Sequence, residues 1–253
     1  MIDDDQRLAE EAAARAGRVL LGLRDAGTMA GEALGRAGDL QANAAIVGLL
    51  RAQRPADGLL SEELAPDLSR LERRRVWIVD PLDGTREYGA VERRTDWAVH
   101  VALCVDGVPT ACAVALPALG ETWNSGRVKP LAPDQAGRPR VVISRTRPPG
   151  FARRLADRLG ADLVPMGSAG AKAMAVVRGE AQVYVHAGGL NEWDSCAPVG
   201  VALAFGLHAS RLDGSVCRYN QADPSMPDLL ICRREWAQRV LDMLAADRTQ
   251  AGL

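Results

Sequence analysis

Aromatic side chains are scarce in this chain: phenylalanine, tryptophan and tyrosine together make up 4% of its 253 residues. That scarcity argues against a surface that holds single-stranded nucleic acid by stacking bases on rings. A positive surplus is missing as well. The formal net charge is -1, without the basic excess that draws a protein to nucleic acid or to an anionic membrane. Long apolar runs are absent: the longest, residues 196–209, contains Pro198 and His208 and falls short of the roughly 18 consecutive apolar residues of a membrane span. The opening Met1, Ile2, Asp3, Asp4, Asp5 lacks a basic region followed by an apolar segment, so no secretory signal is expected. The five cysteines, Cys104, Cys112, Cys196, Cys217 and Cys232, form no Cys-x-x-Cys pair and are odd in number. They read as buried thiols of a protein in a reducing, cytoplasmic compartment.

What is present is ordinary for a globular enzyme, with 47% hydrophobic and 25% charged residues. The length suits one large domain or two close-packed halves. Residues 130–139, rich in proline and polar side chains, are the expected boundary. They divide an α+β half, 1–130, from an α/β half, 140–253.

In the first half, Leu8, Ala12, Ala16, Val19, Leu20 and Leu23 recur at helical intervals over residues 5–23. Gly27, Gly31, Gly35 and Gly38 predict a flexible loop, with Asp39 as N-cap of a second helix that Pro55 and Gly58 close. A strand through Leu59 and Leu60 should run out into Ser61, Glu62 and Glu63. Arg70, Arg73, Arg74 and Arg75 read as a solvated helix end. Residues 97–105 and 108–116 are β-branched, apolar runs joined by Asp106 and Gly107, a hairpin signal.

In the second half, strands at 141–144, 161–164 and 181–185 alternate with helices at 149–159 and 168–177. A further helix follows Asn191, with Ser195 as its expected N-cap and Pro198 at N3. A strand at 209–212, a turn at Asp213 and Gly214, a strand at 229–232 and a closing helix from Trp236 complete the chain.

The most informative stretch is Val76, Trp77, Ile78, Val79, Asp80, Pro81, Leu82, Asp83, Gly84, Thr85. Its apolar run predicts an interior strand, ended by Pro81, with Asp80 and Asp83 at the lip. Two carboxylates and the Leu82 carbonyl can converge there on a hard, oxygen-loving cation. His100, His186 and His208 are scattered and read as structural histidines rather than zinc ligands. Cys196 reads as packing. No nucleophilic triad and no dinucleotide-binding glycine motif stands out.

Taken together, Asp39, Ser61 to Glu63, the Asp-Pro-Leu-Asp-Gly-Thr hexapeptide from Asp80 to Thr85, and Trp193 with Asp194 resemble, in order and spacing, the inositol monophosphatase superfamily of magnesium-dependent, lithium-sensitive phosphatases. More narrowly, Gly84 to Glu87, Gly167 to Lys172 and Glu192 to Asp194 are similar to its CysQ-type branch, which removes the 3'-phosphate of 3'-phosphoadenosine 5'-phosphate. Where many of its members have Gly-Ser-Ser-Leu-Lys, this chain is one residue longer before Lys172.

The resemblance implies a layered α-β-α-β-α fold. It implies one Mg²⁺ held by Glu62, Asp80 and the Leu82 carbonyl, and a second held by Asp80, Asp83 and Asp194, with Glu62 or Glu63 reaching a third. Thr85, Asp39 and Glu62 are the implied catalytic residues, with Thr85 and Asp39 orienting and helping to deprotonate the attacking water. Gly84, Thr85, Ser168, Lys172, Glu192, Tyr219 and Asn220 are the implied substrate contacts. The expected partner is a small phosphorylated molecule of the adenosine 3',5'-bisphosphate type, as in sulfate assimilation, with neither nucleic acid nor membrane, and a homodimer is left open. Two other functions stay open: hydrolysis of inositol monophosphates or fructose 1,6-bisphosphate on the same fold, and a catalytically silent metal- and nucleotide-binding regulator.

Overall fold

Consecutive apolar residues in the central strands point alternately to the two sides of each sheet and give it two faces to bury, and the helices supply the layers that cover them. In the computed structural model, which describes residues 2–131, 133 and 137–251, α1 (Ile2–Ala26) and α2 (Gly31–Gln53) precede the first sheet. That sheet contains β1 (Gly58–Ser61), β2 (Arg75–Asp83), β3 (Ala98–Val105), β4 (Val108–Leu116) and β5 (Glu121–Asn124), paired in that order, with the short helix α3 (Thr85–Gly89) after β2. Its first pair is parallel and the others are antiparallel.

The second sheet has the order β7-β6-β8-β10-β9. It is built from β6 (Arg140–Ser144), β7 (Asp162–Met166), β8 (Val183–Asn191), β9 (His208–Ser210) and β10 (Ser225–Cys232). Between and after these strands run α4 (Ala152–Leu159), α5 (Ala169–Val177), α6 (Glu192–Ala204) and α7 (Arg234–Ala251). β6 is parallel to β7 and β8, whereas β10 is antiparallel to β8 and β9.

Three cores stack these parts into the expected α-β-α-β-α order. Leu8, Leu20, Ile46 and Leu50 of α1 and α2 pack on Trp77, Val79, Val99 and Val101. The opposite face of the same sheet, with Val76, Ile78, Ala102 and Val114, packs on Met174 and Val176 of α5 and Val199 and Val201 of α6, which also meet Tyr184, Leu229 and Ile231 of the second sheet. On its far side that sheet packs Val141, Val183 and Leu230 against Leu155, Leu159, Val240 and Leu244 of α4 and α7. Among the described residues no helix is long and apolar enough to cross a membrane.

Several local expectations are corrected. The glycines at 35 and 38 lie inside α2 rather than in a loop, and the N-cap is Ala30, not Asp39. The physical reason is close packing: a Cβ on Gly35 would stand 2.6 Å from Thr85 Cγ2, and one on Gly38 would stand 2.9 Å from Tyr88 Cε1. Pro81 does not end β2, because the strand continues to Asp83 through a register shift between Asp80 and Asp83, a place where a missing ladder donor is tolerated. Helix α6 starts at Glu192 with Asn191, not Ser195, as its N-cap, leaving Pro198 inside it. Arg70 is not solvated: it is 2% exposed and donates to Asn220 Oδ1 at 2.6 Å and to the Gln221 carbonyl at 2.8 Å. Arg75 belongs to β2 and pairs with Asp57 and Asp5. Of the expected boundary at 130–139, residue 132 and residues 134–136 lie outside the described residues.

The glycines of α2 give the first prediction. Gly38→Ala should lose about 1–3 kcal/mol of stability, the usual cost of overpacking, because Leu20 and Leu82 also stand 3.0 Å from the added carbon. Gly48→Ala, in the same helix with nothing within 4 Å, should gain about 0.4–1 kcal/mol. Urea unfolding of the two variants would give equal shifts if these glycines served flexibility instead.

Candidate active site

The register shift in β2 decides what the site can do. Side chains alternate along a strand, so residues three apart point to opposite faces, yet the extra residue of a bulge resets the phase. Val76 and Ile78 face the inner core and Leu82 packs with the α1–α2 core. The reset brings Asp80 and Asp83 together, so that ligand atoms from both and from His100 lie within 4.8 Å of one another. Asp80 is 1% exposed and Asp83 8%.

Other elements deliver the remaining acids. Glu62 follows β1, whose parallel pairing with β2 carries Ser61 beside Val79, and its amide donates to the Val79 carbonyl at 3.3 Å. Ser61 donates to Asn43 Oδ1 at 2.8 Å, which ties the strand end to α2. Asp194 sits in the first turn of α6, where its Oδ2 accepts the Asn191 amide at 2.6 Å in a capping box. Glu62, Asp80, Leu82, Asp83 and Asp194 line a single cleft of about 370 Å³ together with Gly84, Thr85, Arg86 and Glu87. Ser144, Thr146, Arg147, Gly167, Ser168, Lys172 and His186 complete its lining.

The acids repel one another in a poorly hydrated place. Burial, then the charges of Glu62, Asp83 and Asp194, push Asp80 well above the usual carboxylate range. Burial and Asp83 raise Asp194 to about 7. Partial withdrawal from water, Asp39 and Asp83 raise Glu62 to about 7, although its side chain keeps exposed surface at the lip. Asp83 is the exception: against the cost of burial, His100, Lys172 and Ser168 hold it below the usual range. An oxygen-rich, self-repelling donor set of this kind fits a hard divalent cation, whose charge removes the penalty.

Asp39 stands in α2 beside Thr85, whose hydroxyl donates to the Leu82 carbonyl at 3.2 Å. Burial and Glu63 lift Asp39 to about 7, with the Thr85 hydroxyl opposing. Its Oδ1 is buried without a protein partner.

The implied substrate contacts divide. Gly84, Thr85, Ser168 and Lys172 line the cleft. Ser168, at the N-cap of α5, spends its hydroxyl on Asp83 Oδ2 at 2.6 Å. Lys172 is 3% exposed, with its ammonium on the Gly167 carbonyl at 2.9 Å and on that of Ser168, and burial lowers it to about 8.

Glu192, Tyr219 and Asn220 are placed elsewhere. Glu192 is 1% exposed and accepts the amides of Asn220 and Gln221, each at 2.7 Å. Tyr219 is wholly buried, its hydroxyl 3.3 Å from Ser195 Oγ, and Asn220 is engaged by Arg70. These three build the loop behind α6 rather than the cleft wall.

Sequence reasoning missed two groups. His100, read as merely structural, has Nε2 3.3 Å from Asp83 Oδ2. Thr146 and Arg147 follow the end of β6, a strand parallel to both of its neighbours, where ligands commonly bind in open sheets. That position was the available signal. His186 also lines the cleft, its Nε2 2.9 Å from the Gly188 carbonyl.

The model of the inositol monophosphatase family matches residues 3–252. The chain belongs to that family. A Mycobacterium bovis protein named 3'-phosphoadenosine 5'-phosphate phosphatase is 50% identical over 242 residues, covering 91% of this chain and 89% of that one. The 3'(2'),5'-bisphosphate nucleotidase CysQ of Escherichia coli K12 is 32% identical over 194 residues, covering 72% and 78%. Among solved structures of the family, CysQ from Bacteroides thetaiotaomicron superposes with a TM-score of 0.75 at 24% identity, covering 91% and 97%. Inositol monophosphatase II from Staphylococcus aureus gives 0.78 at 20%, covering 96% and 94%. These two likenesses establish the fold.

The raised acids set the pH dependence of the cation-free protein. A carboxyl whose folded pKa lies near 7 and whose unfolded pKa lies near 4 binds protons better when folded, so its contribution to stability is lost as pH rises through that window. In EDTA, the thermal midpoint should therefore fall between about pH 5 and pH 8, and millimolar Mg²⁺ should restore it at the upper pH through binding to the folded state. A midpoint indifferent to both would show that the acids do not crowd one another.

Proposed function

We propose that this chain is a Mg²⁺-dependent phosphatase that hydrolyses the 3'-phosphate of 3'-phosphoadenosine 5'-phosphate, giving AMP and phosphate, in the cytoplasm and in the service of sulfate assimilation. The observation that carries the reading is the convergence of Glu62, just past β1, Asp80 and Asp83 of β2, and Asp194 of α6 on one cleft. The names of the relatives at 50% and 32% identity support the nucleotide over other esters. The five buried, unpaired cysteines support a reducing compartment.

Glu62, Asp80 and the Leu82 carbonyl would hold one Mg²⁺, and Asp80, Asp83 and Asp194 a second, with Glu62 or Glu63 reaching a third. The chemistry such ions supply is stabilisation of charge on the attacking and departing oxygens and acidification of water.

This chain's residues do the rest. Thr85 and Asp39 orient the attacking water, and Asp39, raised to about 7, is suited to accept its proton near neutral pH. Gly84 and Thr85 open α3, whose first amides have no partner within the helix and can donate to the phosphoryl oxygens. Around the cleft, Arg86 and Arg147 offer positive charge to a substrate with two phosphates. That rim favours a bisphosphate over a monophosphate. Ser168 and Lys172 are assigned to the cleft wall beside the substrate, whereas Glu192, Tyr219 and Asn220 support it from behind.

Phosphate release tests the proposal. With Mg²⁺, the purified protein should turn over 3'-phosphoadenosine 5'-phosphate much faster than inositol 1-phosphate or fructose 1,6-bisphosphate. Preference for either of the latter would move the assignment within the family, and no turnover of any would favour a silent regulator. Asp83→Asn should lower kcat by at least about a hundredfold, as removing one preorganised charge contact does, while the fold is retained. Millimolar Li⁺ should inhibit.

A further inference from the structure

Three groups converge on one oxygen of Asp83. Oδ2 accepts from Ser168 Oγ at 2.6 Å and from the Gly170 amide at 2.7 Å, and His100 Nε2 lies 3.3 Å away. Two donors occupy Oδ2 and the His100 ring packs beside it, so Oδ1 is the oxygen left for a cation. Ser168 and Gly170 come from α5 and its cap, and His100 comes from β3, where it is the cross-strand partner of Asp80.

The His100 ring has a second attachment. Its Nδ1 lies 3.0 Å from the Trp193 carbonyl, across 93 positions of sequence. A carbonyl only accepts, so Nδ1 carries a proton. Trp193 is the residue before Asp194, in the first turn of α6. The ring is wholly buried, and the space for it depends on Gly170, where a Cβ would stand 2.1 Å from Nε2. One edge of the imidazole therefore stands 3.3 Å from Asp83 Oδ2, an approach that completes no hydrogen bond, and the other edge holds the backbone that carries Asp194.

We propose that His100 is a positioning residue for the cation site, fastening Asp83 of the first sheet to the first turn of α6 and so fixing the separation of Asp83 and Asp194. The inference rests on the reading of these acids as cation ligands. Ligands from elements so far apart in sequence need a rigid link between them, since losing an outer contact that orients a ligand costs about 10–100-fold in affinity. Residual freedom of either carboxylate would cost affinity as ordering entropy on binding.

The test uses Mn²⁺ as a paramagnetic stand-in for Mg²⁺, titrated into the full chain without nucleotide and followed by the electron paramagnetic resonance of the free ion. His100→Leu keeps the volume and removes both contacts; it should weaken Mn²⁺ binding by about tenfold or more, the usual effect of losing an outer contact to a ligand. His100→Gln, which retains one donor, should fall between it and the parent protein.

Val101→Ala, the adjacent residue facing the α1–α2 core, controls for plain loss of stability. It should lower the thermal midpoint in EDTA while leaving affinity within about twofold, a change too small for a lost outer contact. If His100→Leu does not fold, His100→Gln carries the same comparison. Affinity within about twofold of the parent in the His100 variants, or an equal loss in Val101→Ala, overturns the proposal. Parent protein that binds no Mn²⁺ overturns it together with the cation-site reading. Because no ester is present, the outcome is independent of which phosphate is hydrolysed.

Discussion

The structure depends on gathering like charges where water is scarce. Coulomb repulsion grows as the surroundings become less polarisable, and Asp80, Asp194 and Glu62 each rise in pKa because burial and the neighbouring acids act in the same direction. Asp83 escapes because the protein turns the Ser168 hydroxyl and the Gly170 amide toward it. A site with one acid held charged and three held high has one anionic anchor and a reserve of ligands that ionise when positive charge arrives. Such a site is poorly stable alone and well matched to cations.

The means of assembly is a bulge rather than a loop. A regular strand would have sent Asp80 and Asp83 to opposite faces; the register shift at Pro81 and Leu82 reverses the phase and drives Leu82 into the α1–α2 core. The core thus pins the site from behind. Gly38, in contact range of Leu82, and Gly35, in contact range of Thr85, let α2 approach closely enough to set Asp39 beside the Thr85 hydroxyl. Glycines that look like a hinge in one dimension are a packing surface in three.

That difference explains what was legible. The alternation of helices and strands, the hairpin at Asp106 and Gly107, and the acidic end of β2 could be read because their signals are local: periodicity, turn chemistry and a hexapeptide; the layered arrangement came through the resemblance. Glu62 and Asp194 came only through resemblance to a family, since nothing in a Glu pair or a Trp-Asp pair says that two sheets will bring them together. Two misreadings share one cause. Asp39 and Arg70 were assigned from local sequence, as a cap and a solvated charge, while their surroundings are set by Thr85 and by Asn220, far along the chain. Glu192 and Asn220, which the resemblance implied as substrate contacts, bond each other across 28 positions.

Those partners form a second line of support for the same ligand. Arg70, from the 3₁₀ turn Leu68–Glu72, engages Asn220 and Gln221. Both amides of that loop point at Glu192, the first residue of α6, and the Glu192 amide donates to the Pro224 carbonyl at 2.7 Å. The first turn of α6 is therefore held through Glu192 from one side and through the Trp193 carbonyl from the other, with the Asn191 capping box between them. Pro198 makes that restraint necessary, because in a regular helix the donor it lacks would have bonded the Asp194 carbonyl four residues earlier. A turn weakened by proline, carrying an acid that repels its neighbours, keeps its position because the tertiary contacts around it replace the backbone bond it lost.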